Sequence, residues 1–103
     1  MKDIQRAIGQ LLPHAQEASQ RAYSPYSKAR VGASLMDHRG NIHTGCNIEN
    51  ASYGLTQCAE RNALAAAINS GVKQGEIETI VIFATGFEVL APCGACRQVM
   101  SEL

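Results

Sequence analysis

The sequence lacks an excess of charge of either sign, because its 103 residues carry nine basic and nine acidic side chains. It therefore has no electrostatic footprint for duplex DNA or for an anionic membrane surface. It also lacks any apolar run of the roughly 18 residues that span a bilayer, and its first residues lack the apolar stretch of a signal peptide. We expect a cytoplasmic protein with no nucleic-acid and no membrane partner.

Aromatic residues are scarce, with no tryptophan and 5% aromatics in all, but apolar residues make up 46% of the chain. That apolar share excludes wholesale disorder. The length suits one domain and is too short for two independent cores. We expect a single domain over residues 1–103.

Hydrophobic periodicity predicts an α/β domain with the order α-β-β-α-β-α. The expected elements are helix 13–22, strands 29–36 and 41–47, helix 56–70, strand 78–84 and a helix from Cys93 to the C-terminus. The first helix is placed after a short or kinked lead-in, because a proline is tolerated in a first turn and is costly inside a helix. The continuous apolar run at 78–84 is typical of a central strand buried on both faces.

The chain has four cysteines, and cytosolic thiols stay reduced, so metal or redox chemistry is expected before disulfides. Cys58 stands near the start of one predicted helix, and Cys93 and Cys96 stand at the start of the next. Helix N-termini favour thiolates, and three thiolates on zinc leave its fourth position open, as in catalytic sites. Glu60 can lie beside such a metal without binding it and can move protons.

Other interpretations of these cysteines are open at this point. The three could be buried structural thiols, or Cys93 and Cys96 could form a redox pair. Cys46 could also complete a closed, non-catalytic site with four thiolates. Cys46 has no ligand spacing to the others, however, and is expected to be a small buried apolar residue.

Three further segments stand out at residues 47–53 (NIENASY), 58–61 (CAER) and 92–98 (PCGACRQ), with two shorter ones at 24–28 (SPYSK) and 31–33 (VGA). Together they resemble the free-nucleoside cytidine deaminases. A metal ligand, one residue, a glutamate and a later Pro-Cys-x-x-Cys form the signature of zinc deaminases. The similarity runs from about residue 11 to residue 103. It implies a cytidine-deaminase-like core with a mixed sheet packed by helices and zinc at the N-termini of two helices.

The resemblance also implies roles for the residues of the metal site. Cys58, Cys93 and Cys96 would bind one zinc ion per chain, and Glu60 would be the proton shuttle. Arg61 would donate hydrogen bonds to the ligand sulfurs. Three thiolates on Zn²⁺ leave a net charge of −1, and a nearby guanidinium withdraws part of it.

For the substrate, the resemblance implies that Asn47 and Glu49 hold the ribose hydroxyls, since an amide and a carboxylate can together donate and accept. Ala51 and Tyr53 would line the substrate site. Ala29 departs from the family, which usually has an aromatic residue there. The family also continues past the last helix, so the C-terminal strands of the family are expected to be absent from this chain.

The function implied is zinc-dependent hydrolytic deamination of cytidine and deoxycytidine to uridine and deoxyuridine, with release of ammonia, in pyrimidine salvage. The cysteine at position 58 resembles the homotetrameric branch, so a homotetramer is expected. The alternatives are a deaminase of another aminopyrimidine nucleoside, to which Ala29 would give more room, and a non-catalytic structural zinc module. A nucleic-acid deaminase is disfavoured by the zero net charge.

Overall fold

The computed structural model describes residues 2–52 and 55–85. Its elements are α1 (Lys2–Ser19), β1 (Arg30–Asp37), β2 (Ile42–Cys46), α2 (Ala59–Asn69) and β3 (Ile77–Thr85). The predicted order α-β-β-α-β is confirmed over this part of the chain, and the last predicted helix lies outside the described residues. Neither described helix combines the length and the apolar character that crossing a bilayer requires.

The three strands form one sheet in which β1 lies between β2 and β3. Leu35 of β1 faces His43 of β2 on one side and Ile80 of β3 on the other, and both pairings are antiparallel. The mixed sheet that was expected is therefore not formed by these strands. The direction of pairing is a property of the whole topology, which local periodicity does not record.

Among the described strands the middle one is β1, and the run at 78–84, which was expected to be central, lies beside it as β3. Within the described residues β3 pairs only with β1, and its residues are mostly half-buried. In β1, by contrast, residues 31–35 are all buried. Gly32 and Ser34 alternate with the apolar residues of β1 and are buried as well. Small residues suit a strand face on which a helix packs closely.

The two helices cover opposite faces of the sheet, and each approaches it at a glycine. A Cβ on Gly32 would overlap the carbonyl oxygen of Ala15 in α1 and lie 2.5 Å from the backbone nitrogen of Ser19. On the other face, a Cβ on Gly45 would overlap the backbone nitrogen of Ala63 in α2. The main core lies on this second face, where apolar β1 side chains meet α2.

Helix α1 runs through Pro13 without a break, so the predicted start at residue 13 is wrong. Pro13 is exposed. Its missing N–H leaves the carbonyl of Gly9 without its usual helical donor, and Gly9 is also exposed. Leu11 and Ala15, on either side of the proline, are fully buried. Packing of this apolar stripe holds the helix together and outweighs the local cost of the proline.

The turn between β1 and β2 is fastened to the end of α2 through Asp37 and His43. Asp37 Oδ1 accepts hydrogen bonds from the backbone N–H groups of Arg39 and Asn41, at 2.9 and 3.0 Å. Asp37 Oδ2 lies 3.1 Å from His43 Nε2, and His43 Nδ1 lies 3.2 Å from Ser70 Oγ. We name this set the hairpin clamp.

Burial raises the pKa of the Asp37 carboxyl, but hydrogen bonds from His43, Asn41 and Arg39 outweigh it and lower the pKa from 3.8 to about 2. Because the folded pKa lies below the unfolded one, ionised Asp37 stabilises the fold above about pH 4. That stabilisation is lost as the pH falls through the folded pKa.

We predict that Asp37→Asn flattens the acid limb of the stability curve. In the unaltered chain the free energy of unfolding should fall between about pH 4 and pH 2, where Asp37 takes up its proton. Urea titrations across this range measure it. The control is Glu17→Gln, which removes an exposed carboxylate of α1. An unchanged slope in Asp37→Asn would show that the hairpin clamp is not pH-sensitive.

We also predict that Gly32→Ala destabilises the chain by about 1–3 kcal/mol or more, because the added methyl group meets the backbone of α1. Gly9→Ala is the matched control. A Cβ there meets nothing within 4 Å, so this change should stabilise α1 by about 0.5–1 kcal/mol. Chemical denaturation measures both. Equal stability of the two variants would contradict the close approach of α1 to the sheet.

Candidate active site at the start of α2

Ile48 joins three segments of chain around the first turn of α2. Its backbone exchanges two hydrogen bonds of 2.8 Å with Gln57. On the other side, the backbone N–H of Tyr23 donates to the carbonyl of Asn47 at 3.0 Å. The carbonyl of Tyr23 accepts from the backbone N–H of Glu49 at 2.8 Å. Residues 24–28, 47–52 and 58–61, which are distant in sequence and belong to the blocks that resemble the family, are thereby brought to one place.

Cys58 is the N-cap of α2 and is half-buried. Helix α2 begins three residues later than the sequence predicted, and its first intrahelical bond runs from Asn62 to the carbonyl of Cys58 at 3.1 Å. The backbone of Cys58 is extended and its thiol is not used as a cap. A sulfur at this end of a helix is favoured as a thiolate by the helix dipole.

Arg61 lies beside Cys58. Its Nη2 donates to the carbonyl of Thr56 at 2.9 Å and lies 3.7 Å from Cys58 Sγ. A fixed guanidinium at this distance further favours the thiolate form of the cysteine. The structure therefore brings Arg61 to the one predicted ligand sulfur that it describes.

Glu60 is the second residue of α2, and its side chain is buried, with the residue 5% exposed. No ion pair joins it to a cation within residues 6–52 and 55–85. Burying a carboxylate without a counter-charge costs free energy, and such groups concentrate at functional sites. Its place in the first turn, one residue beyond the start of the helix, offsets part of that cost through the helix dipole.

The metal site can be tested only in part, because Cys93 and Cys96 lie outside the described residues. Within the described chain no three His, Cys, Asp or Glu side chains converge on a common point. The described chain thus supplies one of the three predicted ligands. That ligand fits zinc: it is a half-buried thiol at a helix start with a guanidinium beside it.

Cys46 lies on the other face of the sheet. It is paired with Gly32, whose missing Cβ would meet α1, and paired residues share a face. Cys58 starts α2, which packs against the opposite face. The four-thiolate alternative, which needs Cys46 and Cys58 at one ion, therefore receives no support from the fold.

Asn47 holds the first residues of β1. Its Oδ1 accepts from the backbone N–H of Val31 at 2.9 Å, and its Nδ2 donates to the carbonyl of Ala29 at 2.9 Å. The residue is 8% exposed. Because an amide nitrogen has two protons, one N–H of Asn47 is left after these contacts.

Glu49 holds the turn before β1. Its Oε1 accepts from the backbone N–H groups of Tyr26 and Ser27 at 3.0 and 3.1 Å, and its Oε2 accepts from the Ser27 hydroxyl. The Ser27 hydrogen bond lowers the pKa of Glu49, burial opposes it, and the two N–H groups and the charge of Lys28 lower it further. Glu49 is therefore ionised at neutral pH and acts only as an acceptor.

A small cleft of about 120 Å³ opens at Glu49. Its lining residues are Tyr26, Ser27, Glu49, Asn50 and Thr56. Ala51 is exposed and is not part of this lining, and Tyr53 lies outside the described residues. Ser27 was not singled out from the sequence, although it stands inside the block 24–28 that resembles the family, which was the available signal.

A cysteine, one residue and a glutamate at the start of a helix form the first half of the zinc-deaminase signature. The comparisons agree. A family model described as "Cytidine and deoxycytidylate deaminase zinc-binding region" matches residues 6–103. The chain belongs to this family, and the zinc cofactor and the resemblance stated above are confirmed at that level.

Individual relatives match over most of this chain. The cytidine deaminase of Halalkalibacterium halodurans is 48% identical over 93 residues, which are 90% of this chain and 69% of that protein. The one from Sporosarcina psychrophila is 43% identical over 95 residues, which are 92% and 68%. The crystal structure of cytidine deaminase from Burkholderia pseudomallei has a TM-score of 0.87 at 48% identity and covers 92% of this chain and 75% of that one.

We predict that Asn47→Ala destabilises the chain by about 1–3 kcal/mol even without a nucleoside, because it leaves a buried N–H of Val31 and a carbonyl of Ala29 unpaired. Denaturant titration measures the loss. Asn50→Ala, in the exposed loop, is the control and should change stability by less than about 0.5 kcal/mol. Equal stability of the two variants would show that Asn47 does not stabilise the fold and acts only in ligand binding.

Proposed function

We propose that this chain is a zinc-dependent cytidine deaminase, which hydrolyses cytidine and deoxycytidine to uridine and deoxyuridine with release of ammonia, in pyrimidine salvage. The observation that carries the proposal is the start of α2. There a half-buried thiol lies 3.7 Å from a guanidinium nitrogen, and a buried carboxylate follows two residues later. The family to which the chain belongs supports the same chemistry.

Cys58, Cys93 and Cys96 are the proposed ligands of one zinc ion per chain. Zinc held there supplies Lewis acidity toward water and toward the substrate. The guanidinium of Arg61 donates a hydrogen bond to the Cys58 sulfur. Its positive charge offsets part of the negative charge that three thiolates would place at the site. The N-terminal dipole of α2 acts in the same direction.

Glu60 is the proposed proton carrier. Its carboxylate takes a proton from the attacking water and delivers it to the ring nitrogen. It then takes the second proton from the hydroxyl group that the water has added and delivers it to the leaving amine. Burial supports this role, because a carboxyl group removed from bulk water exchanges its proton with the substrate and not with solvent.

Asn47 and Glu49 are the proposed ribose-binding pair. Ile48 is bridged on both sides, so the segment is extended and side chains two residues apart lie on the same side of it. After their contacts within the chain, Asn47 keeps one N–H and Glu49 keeps an acceptor position on Oε2. One sugar hydroxyl can accept from the first and donate to the second. Ala51 and Tyr53 are proposed to line the same site.

A homotetramer in the cytoplasm is part of the proposal. Support for assembly comes from large apolar side chains that are exposed on the segments around the site, namely Tyr23, Tyr26, Ile48 and Leu55. Exposed apolar groups that cluster in this way are typical of interaction surfaces. Support for the cytoplasm comes from the three cysteines proposed as zinc ligands, because thiols are kept reduced in that compartment.

Another aminopyrimidine nucleoside was considered as substrate because of Ala29. In the structure Ala29 is 3% exposed, and the cleft at Glu49 is lined by other residues. The described chain therefore gives no observation that favours this alternative over cytidine.

We predict that Glu60→Gln retains zinc and the fold but lowers cytidine turnover by at least about a hundredfold, because the amide cannot carry the proton. Ammonia release measures turnover and elemental analysis measures zinc. Glu78→Gln, at an exposed position of β3, is the matched control. Cys58→Ser should instead lose zinc. Loss of zinc in Glu60→Gln would make Glu60 a ligand, and retained turnover would remove it from the chemistry.

A further inference from the structure

The hydroxyl of Ser27 lies between the Glu49 carboxylate and the backbone that leads into β1. It donates to Glu49 Oε2 and accepts from the backbone N–H of Ala29 at 3.1 Å. A hydroxyl has a single proton. Because the N–H of Ala29 can only donate, the Ser27 proton is committed to Glu49, and the contact has one direction.

Glu49 is nearly saturated by this turn. An ionised carboxylate offers about four acceptor positions. The N–H groups of Tyr26 and Ser27 fill two on Oε1, and the Ser27 hydroxyl fills one on Oε2. After these contacts within the described residues, one acceptor position on Oε2 remains for a ligand. The direction in which that position points depends on where Ser27 holds the oxygen.

The backbone around Ser27 is shaped to keep this contact. Lys28 has a φ of 65°, a left-handed backbone conformation that residues other than glycine rarely adopt. Such conformations persist where the surroundings impose them. Here the N–H of Lys28 donates to the carbonyl of Ser24 at 3.0 Å, and the N–H of Ala29 is turned back to the Ser27 hydroxyl.

The same contacts connect the two proposed ribose-binding residues. The Asn47 amide donates to the carbonyl of Ala29, the N–H of Ala29 donates to Ser27, and Ser27 donates to Glu49. Asn47 and Glu49 are therefore both held by the backbone segment 27–29, Asn47 through the carbonyl of Ala29 and Glu49 through Ser27.

We propose that Ser27 is a positioning residue for nucleoside binding, whose hydroxyl fixes Glu49 Oε2 so that its last acceptor position is presented beside the Asn47 amide. This rests on the proposed function, in which that pair holds a ribose hydroxyl. Ser27 does not touch the reacting atoms, so its effect should appear in binding and not in the chemical step.

The test compares Ser27→Ala with Ser27→Thr in the zinc-loaded chain. Ser27→Ala should raise the KM for cytidine about tenfold and leave kcat within about twofold, because a charge-assisted hydrogen bond is lost from a binding group. Ser27→Thr keeps the hydroxyl and should restore KM. The control is Ser24→Ala, since within the described residues Ser24 contributes its backbone carbonyl to the turn. A fall in kcat with KM unchanged would overturn the proposal.

A second readout does not depend on turnover. Carboxyl ¹³C NMR titration should show the pKa of Glu49 rising in Ser27→Ala and returning in Ser27→Thr, because the Ser27 hydrogen bond is the main cause of its lowering. Glu49→Gln identifies the signal. A chain that does not act on cytidine would refute the proposed function, and the titration would still decide whether Ser27 fixes the carboxylate. An unchanged Glu49 titration in Ser27→Ala would overturn the inference.

Discussion

Helix α2 rests on β2 backbone to backbone at Gly45, and the position of the site depends on this contact. A Cβ there would lie 2.7 Å from the carbonyl oxygen of Ala59, in the first turn of the helix. The side chain of Asn62 adds a hydrogen bond of 2.7 Å to the carbonyl of Cys46, at the end of the strand. These contacts set the start of α2, with its thiol and its carboxylate, beside the chain that leaves β2 toward Asn47.

The proposed substrate residues belong to the scaffold as well as to the site. Asn47 and Glu49 bind backbone groups between Tyr26 and Val31 before any ligand arrives. Removing either side chain would therefore loosen the lead-in to β1 and change ligand binding together. Ser27→Ala removes one side-chain hydrogen bond of Glu49 and keeps the bonds of Asn47 and Glu49 to the backbone, so it separates the two effects more cleanly.

Part of the proposed site could be predicted because its chemistry is local. Cys58 and Glu60 are two residues apart, and this spacing indicates their proposed roles without a fold. The place of β1 between the other described strands was not predictable in this way, because the packing of α1 on Gly32 is not local information. The continuity of α1 through Pro13 also depends on distant packing. The Ser27–Glu49 contact spans 22 residues and requires the turn that the Lys28 backbone makes.

The hairpin clamp has the residue types of a serine-hydrolase triad, but Asp37 lies at Nε2 of His43 and Ser70 at Nδ1, which is the reverse of the catalytic arrangement. The Ser70 hydroxyl donates to the carbonyl of Ala67. The N–H groups of residues 70–72 are also bound to carbonyls of α2, so they form no oxyanion hole, which acyl transfer requires. Here the three side chains brace a hairpin against a helix end. Residue types alone therefore do not define an esterase, and the ring nitrogens and the backbone donors distinguish the two uses.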